Sequence, residues 1–512
     1  MRRIGIDVGG TNTDAVLIED GKVAGAVKAP TSEDVTTGIL DSLKALGATG
    51  VLKGKKIDGV MIGTTHFINA VVQRRHLTRV GALRLGMPAS ASLPPFCDWP
   101  EDLADLVRGG VWMVEGGHEY DGRLFMPLDE AAVTKSAEEM NARGLKSVAI
   151  SAIFSPLDPT HEKRAAELVA KVIPDAIITC SSDLGRIGLL ERENAGLLNA
   201  ALADLSRDTI AAFEKAIRDS GIAAPLFITQ NDGTVAEASQ ARRLPVYSFA
   251  SGATNSMRGA AYLSGLSDAM VIDVGGTTTD VGQLKNGFPR EANSVVKVGG
   301  VRTLFRMPDL LSIGLGGGSH VQLDPLKVGP ISVGYRLLRD GIAFGGKQLT
   351  TTDVAIAAGV LTLGDKAKVA HLDAATCKKV FAEAARLSEE AIDRMKTEAG
   401  DVPLIAVGGG AFLIPEKLPG VSKVIHVQHG DCANAVGAAI AQVSGECDQI
   451  FKDMTRNEAL AAAQGIANDR AVAAGAERKT LSTIESEDMP LAYLPGNSVR
   501  VRVRVVGDVA SS

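Results

Sequence analysis

The residues best suited to chemistry are aspartates set in glycine- and threonine-rich turns. IGIDVGGTNTDAV, residues 4–16, returns as VIDVGGTTTDVGQ at residues 271–283. In both copies an apolar run ends at Asp-Val-Gly-Gly-Thr, and a second aspartate follows: Asp7 with Asp14, Asp273 with Asp280. Gly9, Gly10, Gly275 and Gly276 have no Cβ, so the chain turns sharply there and backbone N–H groups come close to an anion. Thr11, Asn12 and Thr13, like Thr277, Thr278 and Thr279, add side-chain donors that suit phosphate oxygens. Asp7 and Asp273 close their strands with the oxygen ligands that Mg²⁺ prefers, and Mg²⁺ is held mostly through its own water. Asp14 and Asp280 either orient water at a terminal phosphate or hydrogen-bond their own turns. Two such turns facing each other would clamp a polyphosphate from both sides. Neither copy is a P-loop, since no Gly-Lys-Ser/Thr follows, and neither is a GxGxxG dinucleotide turn.

Other candidates follow downstream. IGLGGGSH, residues 313–320, presents Gly316, Gly317, Gly318 and Ser319 as a loop that either exposes backbone donors to a phosphate or is a plain bend. Thr64, Thr65 and Asn69 stand at a strand-to-helix junction, where helical N–H groups either hold an anion or are simply capped. Asp353, in TTTDVAIAAG, reads as a helix-start residue. His66, His320, His426 and His429 lack the spacing of a metal site, and no Ser-His-Asp or Cys-His nucleophile is evident.

The elements that must position these residues alternate between strand and helix. VAGAVKA reads as the second arm of a hairpin, residues 32–47 as a helix capped by Ser32, and VMIGTTH as a buried strand entering a turn. Residues 86–130 read as loop-rich, with a hairpin-like stretch from Val111 to Asp129. Residues 129–144 read as a helix, and 189–221 as one long helical region separating two halves. LIAVGGGAFLIP is a strand, a glycine turn and an exit at proline. The expected division is an N-terminal lobe over 1–188, a second lobe over 189–445 and a small helix/strand extension over 446–512.

Bulk properties agree with a multidomain α/β chain. At 512 residues it is too long for one core. A net charge of −6 argues against a nucleic-acid partner, and no apolar run is long enough to span a bilayer. The five cysteines are scattered and contain no CxxC, and MRRIGIDVGG has no signal-type apolar core. A cytoplasmic location is the expectation.

The paired turns resemble the phosphate hairpins of the actin/Hsp70/sugar-kinase ATPases. More narrowly, the chain resembles the A subunit of the hydantoinase/5-oxoprolinase/acetone carboxylase family. The residues carrying this are IGIDVGGTNTD, GTTHFINAVVQRR, LLERENAGLLNAAL, QNDGTVAEASQARRLPVYSFASG, IDVGGTTTDVG, SIGLGGGSH, TTTDVAIAAG and NAVGAAIA. The resemblance implies a two-lobed α/β, ribonuclease H-like duplicated fold with ATP and Mg²⁺ in the central cleft. It implies that Gly408, Gly409 and Gly410 lie against the adenosine, and that Thr64, Thr65 and Asn69 lie on the substrate side. It further implies phosphorylation of a cyclic-amide carbonyl such as a hydantoin or 5-oxoproline, with a B-type subunit as partner. A carboxylase-type subunit acting on a ketone or bicarbonate is the alternative, and a nucleotide-switched regulatory protein is another. Homo-oligomers are compatible with each. Two segments depart from the family pattern: SGATNS at 251–256 replaces the usual SGPAGG, and the segment after the GGGS loop lacks the usual proline-rich, cysteine-bearing centre.

Overall fold

The computed structural model describes residues 1–9, 12–30, 35–54, 56–184, 187–292, 295–304, 306–491 and 497–510. Gly10, Thr11 and the expected cap Ser32 lie outside them.

The apolar run Arg2–Val8 pairs antiparallel with Asn12–Glu19, and Lys22–Pro30 adds a third strand. On the other side of the first strand, Gly59–Thr64 and then Leu226–Thr229 run parallel to it. Read across the sheet, the order is third, second, first, fourth, fifth. The same order recurs with Ala269–Val274, Thr279–Lys285, Phe288–Pro289, Val402–Val407 and Val421–His426. Each half is thus a ribonuclease H-like unit, and the chain has the duplicated, two-lobed actin-like architecture. The parallel strands end on one edge of each sheet, where α/β folds place their ligands.

Alternation of side chains explains how the first sheet is covered. Ile4, Ile6 and Leu17 face a core shared with Ile39, Leu43, Phe213 and Ile217, supplied by the helices Val35–Ala48 and Ala203–Asp219. Val16 and Ile18 point the other way, onto the helix Ala433–Ala439. That helix sits so close that a Cβ on Gly5 would lie 1.9 Å from Ala435 O.

Two features differ from the sequence reading. Among the described residues the first sheet has nine strands, continuing through Thr234–Glu237, Gln442–Phe451, Val499–Gly507 and Ser482–Pro490. It therefore crosses the divisions expected at 188 and 445, and the C-terminal segment is woven into it through backbone pairing. The hairpin-like stretch expected over 111–129 is also much shorter: among the described residues it is one antiparallel bridge, His118 with Leu124, with Glu119 N–H donating to Arg123 O at 2.7 Å. Arg108–Glu115 is instead a strand of an inserted, all-parallel sheet with Val80–Met87, Ser147–Ala152 and Ile177–Cys180. Its apolar run, Val111 to Val114, is short, mostly half-buried and preceded by the short helix Glu101–Val107, unlike the long buried runs that usually mark parallel strands. The long helical region is two helices, Leu189–Ala201 and Ala203–Asp219.

Candidate functional site: two opposed aspartate hairpins

The repeated sequence closes each hairpin with the equivalent backbone hydrogen bond. Gly9 N–H donates to Asn12 O at 3.1 Å, and Gly275 N–H donates to Thr278 O at 2.9 Å. Asp7 stands directly across from Asp14, and Asp273 directly across from Asp280. Like charges facing each other across a ladder destabilise a hairpin, so this arrangement points to function rather than folding.

The two hairpins approach each other closely enough for their charges to interact. Burial, then the Asp14 carboxylate, pushes the Asp7 carboxyl up to about 7, and Asp273 adds to the rise. Burial, then Asp280, pushes Asp273 up to about 6, with the Ser256 hydroxyl beside it opposing. Burial also raises Asp14 and Asp280; Lys28 opposes this at Asp14, and Ser312, which donates to Asp280, opposes it at Asp280.

Lys28 lies opposite Asp14 on the third strand and was not singled out from sequence. Its Nζ donates to Asp14 Oδ2 at 2.8 Å and to Asp431 O at 3.0 Å. Burial alone would lower its pKa, but the Asp14 carboxylate outweighs this and holds it above the ordinary value. Two asparagines were missed as well. Asn434, on the helix Ala433–Ala439, donates to Asp7 Oδ2 at 3.2 Å. Asn255, on the helix Ser251–Ser264, donates to Thr229 Oγ1 at 2.9 Å. Gly63 makes this convergence possible: a Cβ there would lie 2.5 Å from Asn255 Nδ2 and 3.2 Å from Asp7 Oδ1. Asn255 belongs to the divergent SGATNS segment, so part of that departure lines the cleft.

The remaining candidates divide. Asn12, Thr277, Thr278 and Gly409 are exposed, whereas Thr13 and Thr279 are buried; Thr279 Oγ1 donates to Leu315 O at 2.7 Å. Gly408 is left-handed at φ +88°, and a Cβ there would lie 2.3 Å from Asp273 Oδ1. Gly410 N–H donates to Val274 O. Thr64 ends the strand beside Val8, and its Oγ1 accepts from His66 N. Thr65 is the N-cap residue of His66–Gln73, and its hydroxyl accepts from Asn69 at 3.2 Å.

The exposed donors expected in the GGGS loop are not exposed. Gly317 N–H donates to Gly275 O at 3.0 Å and Gly318 N–H to Gly276 O at 2.7 Å, while Gly316 N–H donates to Ser319 Oγ at 2.8 Å. A Cβ on Gly316 would lie 2.7 Å from Gly276 C, so the loop acts as a buttress pressed against the second hairpin. Asp353 is the helix-start residue expected, closing a capping box with Thr350.

A cation suits this cleft. Besides the facing carboxylates, Asp14 Oδ1 and Asn255 Oδ1 are buried acceptors without a hydrogen-bond partner. Acceptors of that kind are what the water shell of a hydrated ion would fill. Among the described residues there is no cluster of three or more His, Cys, Asp or Glu that could hold a metal ion. A cavity of about 600 Å³ lies elsewhere, on the face of the first sheet between Tyr247, Arg306, Glu446 and Arg500.

Sequence comparison gives this geometry a family. The N-terminal region model of hydantoinase/oxoprolinase matches residues 3–173, and the hydantoinase/oxoprolinase model matches residues 192–399. The chain belongs to the hydantoinase/oxoprolinase family. Among family relatives, caprolactamase subunit alpha of Pseudomonas jessenii is 28% identical over 393 residues, 71% of this chain and 55% of that protein. The acetophenone carboxylase gamma subunit of Aromatoleum aromaticum is 26% identical over 396 residues, 70% of this chain and 53% of the relative. The chain thus spans about half the length of the curated relatives it matches. In structure, the ATP-dependent caprolactamase from Pseudomonas jessenii superposes with a TM-score of 0.80 at 21% identity, covering 99% of this chain and 88% of that one. Nucleotide-free acetone carboxylase gives 0.69 at 17% identity, covering 100% and 89%. These structural likenesses establish the shared fold.

Proposed function

We propose that this hydantoinase/oxoprolinase family member is the ATP-binding subunit of a cyclic-amide hydrolase. In this reading it transfers the γ-phosphoryl group of ATP to the carbonyl oxygen of a lactam, hydantoin or 5-oxoproline-like substrate. The observation that carries it is the pair of opposed hairpins with Asp7 and Asp273 brought together between them. The family includes an ATP-dependent caprolactamase, which supports the choice of amide.

A cyclic amide resists water because its resonance is strong and its leaving group poor. Phosphorylating the oxygen removes both obstacles: the phosphoryl group moves to the amide oxygen, the nitrogen gives up its proton, and ADP departs. The product is an imidate phosphate open to water at carbon. Such a transfer needs mainly positioning and charge neutralisation. Asn12, Thr277, Thr278 and the backbone of the two turns would hold phosphate oxygens. Gly408 and Gly409 would leave room for the nucleoside, with the 316–318 loop bracing the second turn. Asp7 and Asp273 would hold Mg²⁺ through water, and the ion would supply neutralisation of the triphosphate. Lys28 holds Asp14 in place, Asn434 orients Asp7, and Ser312 orients Asp280. Thr64, Thr65 and Asn69, at the same sheet edge, would face the substrate. Attack by water is assigned to a B-type partner subunit in the cytoplasm.

A second reading has its own support, since the relatives include ketone carboxylase subunits. There the acceptor oxygen is that of a ketone enol or bicarbonate. Phosphate release from ATP, measured with hydantoin, 5-oxoproline, caprolactam, acetone and acetophenone, with and without bicarbonate and a B-type subunit, separates the two. Stimulation by lactams alone supports the hydrolase, and bicarbonate-dependent stimulation by ketones supports the carboxylase. No stimulation by any of them contradicts both.

A further inference from the structure

The inserted sheet is a doubly wound unit in its own right. Its four strands are parallel, and their order puts Val80–Met87 between Arg108–Glu115 and Ser147–Ala152, with Ile177–Cys180 at the edge. Helices cover both faces. Leu83, Leu85, Val148 and Ile150 pack on Glu130–Ala142 and Thr160–Val172, while Ala82 and Ala149 pack on Glu101–Val107 and Leu189–Ala201. The chain leaves Val80–Met87 toward one edge and returns on its other side at Ser147–Ala152, so a crevice opens between the carboxyl ends of these two strands. Open α/β sheets bind ligands at such a reversal.

A cavity of about 370 Å³ occupies that place. It is walled by the loop after the first of these strands (Ala89–Leu93), by Phe154 after the third, and by Glu119 and Phe125 after the second. None of these residues belongs to the aspartate hairpins. The volume is at the small end of the ligand-pocket range, about 300–1,000 Å³.

The crevice is built rather than left over. Arg84, fully buried, pairs with Glu193 through two of its nitrogens and also donates to the carbonyls of Ser90 and Leu93, which fixes the loop in place. Phe154 is held at φ +52°, a left-handed conformation that a bulky residue adopts only under constraint and that is characteristic of ligand sites.

The charge balance indicates the ligand. Arg84 is spent on Glu193, and Glu191 is bonded to Arg302 at 2.7 Å. Arg123, the cation nearest to Glu119 in sequence, is held by Asp121 at 2.6 Å and senses the Glu119 charge through space without a bond to its carboxylate. Glu119 is therefore the lining carboxylate to which no described cation is bonded, and it shares the cavity with two phenyl rings. A carboxylate in a crevice lined by aromatic residues attracts a cation, and the apolar walls call for a hydrocarbon body. We propose that this crevice is a second ligand site, for a small organic ammonium whose apolar body is the size of one hydrocarbon ring.

Titration calorimetry and saturation-transfer NMR on the full chain, with cyclohexylammonium as probe and cyclohexanol as its neutral isostere, test this. The wild-type chain should bind cyclohexylammonium more tightly than cyclohexanol. Glu119→Gln should weaken the ammonium about tenfold or more and leave the alcohol unchanged, the loss expected for a charge-assisted contact. Ala89→Trp, which fills the crevice, should abolish both. Absence of ammonium binding to wild type would overturn the proposal, as would equal binding to Glu119→Gln. Retention of binding in a folded Ala89→Trp would do the same. Glu119 is partly exposed and outside the core, so Glu119→Gln decides the matter even if the tryptophan variant does not fold. ATP turnover is read separately, and its presence or absence leaves this outcome unaffected.

Discussion

Asp7 and Asp273 are held against their own electrostatics, and that tension makes their role measurable. Replacing Asp7 with Asn removes one buried like charge, so the ligand-free melting temperature should stay the same or rise. Turnover of ATP should nonetheless fall by about 10²–10³-fold, the scale on which fixed electrostatic groups act. A phosphate-release assay beside a thermal melt checks both. Gly63→Ala acts on the same carboxylate indirectly. Its new methyl, 2.5 Å from Asn255 Nδ2 and 3.2 Å from Asp7 Oδ1, must push one of them aside. A displacement near 1 Å should cost about 10²-fold in turnover with a near-native circular-dichroism spectrum. The aspartates were legible in sequence because the motif is written twice. Lys28 was not, since its place opposite Asp14 depends on the register of a third strand. Asn255 and Asn434 reach the cleft on helices distant in sequence, and polar residues on a helix ordinarily read as solvent-facing.

Two of those helices, Ser251–Ser264 and Ala433–Ala439, cross in near backbone contact. A Cβ on Gly437 would lie 1.8 Å from Asn255 O, and one on Gly259 would lie 2.0 Å from Ala433 O. Gly437→Ala therefore forces the helices apart, and overpacking of this kind costs about 1–3 kcal/mol. A urea denaturation midpoint lowered by that free energy divided by the denaturant slope, together with weakened nucleotide binding, is the expected result; an unshifted midpoint would contradict the packing. Most helices were legible from their periodicity, as at Glu130–Ala142, where the structure adds the Asp129 cap. The inserted parallel sheet was less so, because Arg108–Glu115 is half-buried and follows a helix too short to announce a crossover. The GGGS loop misled for a different reason. Glycine permits close approach to either an anion or a neighbouring backbone, and here it is the backbone of the second hairpin.

Across the whole molecule, the C-terminal strands close the first sheet and carry a dock for the second lobe. Arg306 binds Glu291, Glu446 and Glu485, and Arg504 binds Glu291. Burial raises the Glu291 carboxyl, but Arg306, Arg504 and Arg502 outweigh it and hold it below the ordinary value. A depressed carboxylate contributes stability above its unfolded pKa of about 4.3 and loses it as pH falls below that value. The melting-temperature advantage of wild type over Glu291→Gln should thus be full at pH 7 and shrink below about pH 4.3. An advantage independent of pH would mean that packing, not charge, makes the dock. This cross-lobe network was invisible in sequence, where VRVRVRVV reads only as an alternating strand.

The central claim is that one nucleotide and one divalent ion are gripped from both lobes. Titration calorimetry with a non-hydrolysable ATP analogue, with and without Mg²⁺, on wild type, Asp7→Asn and Asp273→Asn tests it most directly. The structure predicts one site, Mg²⁺-enhanced affinity in wild type, and loss of that enhancement in each variant, although the two aspartates belong to different lobes. Mg²⁺ enhancement that survives in either variant, or no binding to wild type, would contradict it.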